Sequence, residues 1–99
     1  MKQPPSPAAI HFGAKVRNAR IALGLSQESI AELAQMHVTN YGKIESGIAN
    51  PSLVTMLRIA SVLGTDIALL TEGLSRDDLP AEFDVLSADE FLRERDRRR

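Results

Sequence analysis

The sequence contains no cysteine. Disulfide staples and thiolate metal sites are therefore excluded, which fits a reducing compartment. Aromatic residues are scarce, 4% of the chain against 43% hydrophobic residues in all. Aliphatic helix packing is thus expected rather than an aromatic-rich β-sandwich. No apolar run approaches the roughly 20 residues that a membrane-spanning helix needs. The N-terminal residues lack an apolar signal core, so export is not expected and a cytoplasmic location is. A strong excess of one charge is also missing: 12 basic and 13 acidic groups leave a net charge of -1. Strong non-specific affinity for a polyanion is not expected from that balance.

What is present is enough for one small domain with one core, at 99 residues. The charge is unevenly placed. Residues 1–75 carry six basic and five acidic groups, whereas residues 76–99 carry six basic and eight acidic ones. Sequence features for catalysis are absent. There is no Ser/His/Asp set and no phosphate-cradling glycine loop, and His11 and His37 lie far apart with no cysteine to complete a metal site. Asp77, Asp78, Glu82 and Asp84 read as a solvated linker, not as an acid–base pair. The reading is of a non-enzyme that needs no cofactor and no metal.

Residues 1–8 hold three prolines in a polar setting and are expected to form a flexible N-terminal arm. Residues 9–22 read as a helix, with Phe12, Val16, Ala19 and Leu23 at i, i+4, i+7 and i+11 and Gly24 as its stop. The stretch from Gly24 to Gly47 then reads as helix, tight turn, helix. Ser26 suits an N-cap, and Ile30, Ala31, Leu33 and Ala34 make one apolar stripe. The pattern breaks at Gln35, Met36 and His37. It resumes with Val38, Tyr41 and Ile44, and Gly47 is placed to end the second helix. Two short helices with almost no loop must cross steeply, which is helix-turn-helix geometry. Ser52 can cap a fourth helix over 53–63, with Leu53, Leu57, Ala60 and Leu63 as its buried stripe. Asp66 can cap a short fifth helix over 67–72. No segment alternates with period two, so residues 9–73 read as all-α. Beyond them lies a polar, proline-containing linker. Ser87 and Glu90 have capping-box spacing, and a last helix follows through Phe91 and Leu92.

The motifs GLSQE at 24–28, IA at 30–31, IESG at 44–47, NPSL at 50–53 and the spacing from Ala60 to Leu63–Gly64 resemble the Cro/C1-type helix-turn-helix family. This is the lambda-repressor-like, or XRE, group of DNA-binding proteins. The resemblance covers roughly residues 10–73. It implies a five-helix DNA-binding domain whose second motif helix, about 38–46, lies in the major groove. It also implies roles for single residues. Gln27 matches the family's backbone-contacting glutamine, able to donate to a phosphate. Val38, Thr39, Asn40 and Lys43 fall on the outer face of the reading helix, suited to base edges, a thymine methyl or a phosphate. Asn50 matches the phosphate-contacting loop after that helix. His37 serves either as an imperfect N-cap or as a phosphate contact. Arg20 and Glu45 match a structural ion pair between the first and third helices. Arg58 reads as an ordinary solvated charge.

This chain departs from the family pattern at three positions. Gln35 stands where a turn glycine is common. Gly42 sits inside the reading helix, at a cost of about 1 kcal/mol against alanine. Val38 replaces a commonly polar or basic residue. The resemblance implies a sequence-specific transcriptional regulator that binds a palindromic operator as a homodimer. Leu69 and Leu70, or residues 83–92, are the expected dimer surface. The alternative is an antitoxin-like DNA binder whose residues 74–99 hold a partner protein.

Overall fold

The computed structural model describes residues 6–98. Five α-helices build the domain: α1 (Pro7–Leu23), α2 (Gln27–Leu33), α3 (Val38–Glu45), α4 (Leu53–Leu63) and α5 (Ile67–Leu70). A short 3-10 turn (Arg76–Asp78) and a terminal helix α6 (Ala88–Arg97) follow. Among the described residues there is no β-strand, and no helix is long and apolar enough to cross a membrane.

Serine starts four of these helices for one reason. Its hydroxyl accepts from a backbone N–H that the first helical turn leaves without a partner. Ser6, Ser26, Ser52 and Ser87 accept from Ala9, Ser29, Thr55 and Glu90 at 3.0–3.1 Å. The first of these corrects the expected arm. Ser6 is buried and capping, and Pro7 opens α1, so the helix begins two residues before the expected start. Proline is well placed there, since its missing N–H has no helical acceptor in any case. Residues 1–5 of that arm lie outside the described residues. At α5 Asp66 occupies the cap position, but its side chain makes no capping bond.

The core joins Phe12 and Val16 of α1, Ile30 and Ala31 of α2, Tyr41 and Ile44 of α3, Ile59, Ala60 and Leu63 of α4, and Leu70 of α5. Several expected core residues are outside it. Leu33 is 62% exposed, and Leu23, Leu53 and Leu57 are also exposed. On α4 the buried stripe is Met56, Ile59, Ala60 and Leu63. The sequence LVTMLRIASVL is apolar around most of its circumference, so two adjacent stripes fit helical spacing and only tertiary packing selects one. Leu70 is core rather than a dimer surface, while Leu69 is exposed.

The α2–α3 turn keeps, at Gln35, the left-handed conformation that a turn glycine would adopt without strain. Gln35 has φ 58°, the one non-glycine positive φ among the described residues. Left-handed backbone costs about 1–2 kcal/mol for such a residue. The turn is nonetheless held by several hydrogen bonds. Met36 N–H donates to Ala31 O at 2.9 Å and Gln35 N–H to Glu32 O at 3.0 Å, the paired bonds of a Schellman stop. Arg58 reaches over from α4 and donates to Ala34 O at 2.9 Å and to Gln35 O. Arg58 is therefore the clamp on the turn, not a free surface charge.

One tight helix crossing rests on a glycine within α1. A Cβ built at Gly13 would lie 2.1 Å from Ile44 O and 2.7 Å from Glu45 O. α1 thus runs directly against the last turn of α3, backbone on backbone. Those carbonyls belong to a buried helix end and have no rotamer by which to yield. Gly13→Ala is expected to lower the unfolding free energy by about 2 kcal/mol, overpacking outweighing the gain in helix propensity. Urea denaturation of the two proteins measures it, and a loss below about 0.5 kcal/mol would mean that the crossing is not sterically fixed.

Candidate nucleic-acid interface

Helix α3 separates its side chains sharply. Tyr41, Ile44 and Glu45 face inward, and Tyr41 is 0% exposed. Val38, Thr39, Asn40 and Lys43 lie on the solvent side. The inward residues Tyr41, Ile44 and Glu45 stand at i, i+3 and i+4, so the opposite face is left for the remainder. The sequence had placed Val38 in the apolar stripe as well as on the outer face. The structure puts it outside, at 40% exposure. His37 occupies the N-cap position of α3 with extended backbone, but its ring makes no capping bond and is exposed. Asn50 is exposed in the loop after α3, beside partly buried Ala49 and Pro51.

The inward face ends on a charged cluster. Arg20 of α1 donates to both carboxylate oxygens of Glu45, from Nε at 2.7 Å and from Nη2 at 3.1 Å. Its Nη1 donates to Leu25 O at 2.8 Å, which ties down the start of the α1–α2 connection. Gln27, the first residue of α2, donates from Nε2 to Glu45 Oε1 at 2.9 Å. The Glu45 side chain is 2% exposed and that of Arg20 14%. A single carboxylate of α3 therefore holds both α1 and α2. The expected Arg20–Glu45 ion pair is present, and the bond to Gln27 was not foreseen. The signal available was only that a buried carboxylate has more acceptor sites than one guanidinium fills.

Burial pushes the Glu45 carboxyl upward. The bonds from Arg20 and Gln27, with the neighbouring Tyr41 hydroxyl, outweigh it and leave the group below the usual carboxylate range. The Tyr41 hydroxyl is itself buried beside Glu45 without a well-directed hydrogen bond, and burial foremost, then the carboxylate, drives its pKa up. Tyr41 is thus core throughout, hydroxyl included.

The C-terminal segment stands apart from the interface. Arg76 ion-pairs with Glu90 at 2.7 Å and donates to Val85 O at 3.2 Å, which folds residues 76–90 into a local turn. Glu90 is thereby used by Arg76, where the sequence had it completing a capping box with Ser87. Phe83, Val85, Leu86, Phe91 and Leu92 all remain exposed.

Two short helices joined by a clamped turn, with a polar outer face on the second, define a helix-turn-helix domain. The helix-turn-helix family model matches residues 16–70. The prophage-derived HTH-type transcriptional regulator YonR of Bacillus subtilis is 32% identical over 81 residues, covering 82% of this chain and 68% of that protein. An HTH-type transcriptional regulator of Sinorhizobium medicae is 28% identical over 76 residues, covering 77% of this chain and 55% of that one. Among solved structures, the restriction-modification controller protein C.AhdI of Aeromonas hydrophila matches with a TM-score of 0.61 at 37% identity, over 63% of this chain and 94% of that chain. The chain belongs to the Cro/C1-type helix-turn-helix family of DNA-binding transcriptional regulators.

The Glu45 cluster makes stability depend on pH with a defined sign. The folded-state pKa is lowered, so the contribution is fully present above the unfolded value of about 4.3 and is lost as the pH falls through the folded value. The urea midpoint is expected to decline below about pH 4.3. Glu45→Gln should decline less steeply over the same range. Equal slopes for the two proteins would show that Glu45 is not held in its charged form by the fold.

Proposed function

We propose that this protein is a sequence-specific regulator that binds a palindromic operator as a homodimer, with α3 in the major groove. The observation that carries this reading is the contiguous exposed set Val38, Thr39, Asn40 and Lys43 on a helix whose other face is locked in the core. Thr39 and Lys43 are one turn apart and share a face. Lys43 is suited to a guanine edge or a phosphate, Thr39 and Asn40 to base edges, and Val38 to a thymine methyl. Gln27, His37 and Asn50 flank that set and are assigned to phosphates. The rigid Arg20–Glu45 pair sets the angle at which α3 is presented.

One reading helix discriminates only a few base pairs, at about 1–3 kcal/mol for each good contact. A second half-site about 34 Å away supplies the remaining specificity when the protein is a dimer. The chain has unpaired apolar surface for such a contact: Leu53, Val54 and Leu57 on α4, Leu69 on α5, and the segment from Phe83 to Leu92. A second reading, in which residues 74–99 hold a different protein, rests on the exposure of that same segment. The apolar surface of α4 supports the homodimer in addition, since it lies outside residues 74–99.

Selection of bound duplexes from a random pool tests both readings. The homodimer reading predicts an inverted repeat, and a single unrepeated site would favour the other. On the selected duplex Lys43→Ala is expected to weaken binding about tenfold. Unchanged affinity in a gel-shift titration would remove Lys43 from the interface.

A further inference from the structure

The bond between Gln27 and Glu45 fixes more than a helix start. Glu45 is a charged carboxylate and can only accept, so the Gln27 nitrogen must face it and the amide cannot be reversed. The Gln27 oxygen then lies over α3 at Gly42. A Cβ built at Gly42 would sit 3.5 Å from Gln27 Oε1, with no other heavy atom within 4 Å beyond the excluded neighbours. Alanine would thus make an ordinary contact there, whereas any side chain longer than a methyl would occupy the space of the amide. Gly42 lies three residues after Thr39 and one before Lys43, within the reading helix.

We infer that Glu45 and Gly42 are positioning residues for Gln27. The carboxylate takes one amide hydrogen and sets the orientation, and the glycine leaves the amide room across α3. The second amide hydrogen of Gln27 has no acceptor among the described residues and is held ready for a DNA phosphate. The glycine in the reading helix is then explained by the glutamine that crosses it, and not by approach of the DNA to bare backbone. The inference rests on Gln27 being a DNA contact, as proposed above.

A double-mutant cycle on the duplex recovered from the random pool separates the two. Gln27→Ala is expected to weaken binding about tenfold, a loss of one hydrogen bond to a charged acceptor. Gly42→Leu, a helix-favouring change, is expected to weaken it by a similar factor in the wild-type background and to cost nothing further in the Gln27→Ala background. Gly42→Ala leaves the amide in place, so it should bind like wild type while melting at a higher temperature. Unchanged affinity of Gln27→Ala would overturn the contact itself, and the positioning with it. A tenfold loss for Gln27→Ala with independent, additive effects of Gly42→Leu would retain the contact and overturn only the positioning. Weak binding by Gly42→Ala would also overturn it, since the glycine would then serve the DNA directly.

Discussion

A carboxylate with 2% of its side chain exposed must be hydrogen-bonded on every side or it destabilises the fold by several kcal/mol. Glu45 is that group, and the geometry around it organises the domain. Its two oxygens receive Arg20 from α1 and Gln27 from α2, while its own backbone belongs to the last turn of α3. Three helices therefore meet at one pair of oxygen atoms. The same turn of α3 is where Gly13 lets α1 approach to backbone contact. The apolar residues supply the driving force, but aliphatic packing alone tolerates several registers. A bidentate guanidinium–carboxylate pair has a narrow range of distances and planes, so it selects one. The helix that it orients is the one with the polar outer face.

The turn between α2 and α3 follows the same pattern of a local cost accepted for geometry. Gln35 is left-handed without being glycine, and Arg58 clamps the carbonyls on either side of the bend. The α3 outer face is then displayed by two charged anchors, Arg20 on one flank and Arg58 on the other. Neither needs to face solvent to matter, and each binds backbone carbonyls as well as, or in place of, a carboxylate. Both guanidinium groups are therefore engaged within the domain. Lys43 is the one cation on the outer face of α3, which fits recognition that depends on shape and a few direct contacts more than on bulk attraction.

The order of the helices, the serine caps at Ser26, Ser52 and Ser87 and the glycine stops at Gly24, Gly47 and Gly64 were legible in the sequence because each is encoded within four or five residues. The Arg20–Glu45 pair was legible through resemblance, and the strain at Gln35 through a missing glycine. What was not legible depended on contacts across the fold. The α4 stripe was misread because LVTMLRIASVL offers two apolar faces and only the positions of α1, α2 and α5 decide between them. Leu33 looked like core by spacing, yet it lies beside the exposed Val54 and Leu57 of α4 while its neighbour Ala34 takes the buried position. Gly13 carried no signal of its own, since its meaning lies in two carbonyls more than thirty residues away. Arg58 looked like a solvated charge because its acceptors are main-chain atoms, which carry no sequence signature. The same holds for Gln27, whose type was recognised while its acceptor was not.

The central claim is that the buried charged cluster serves orientation of the reading face more than stability. Replacing it with apolar residues of similar volume, in the double variant Arg20→Met/Glu45→Leu, tests that claim most directly. Such replacements are often neutral or stabilising by about 1–4 kcal/mol, because the desolvation of both charges is removed together. The account predicts a folded variant of at least near-wild-type stability whose affinity for the selected duplex, read by fluorescence anisotropy, falls about tenfold or more. A folded variant that binds the duplex as the wild type does would contradict it.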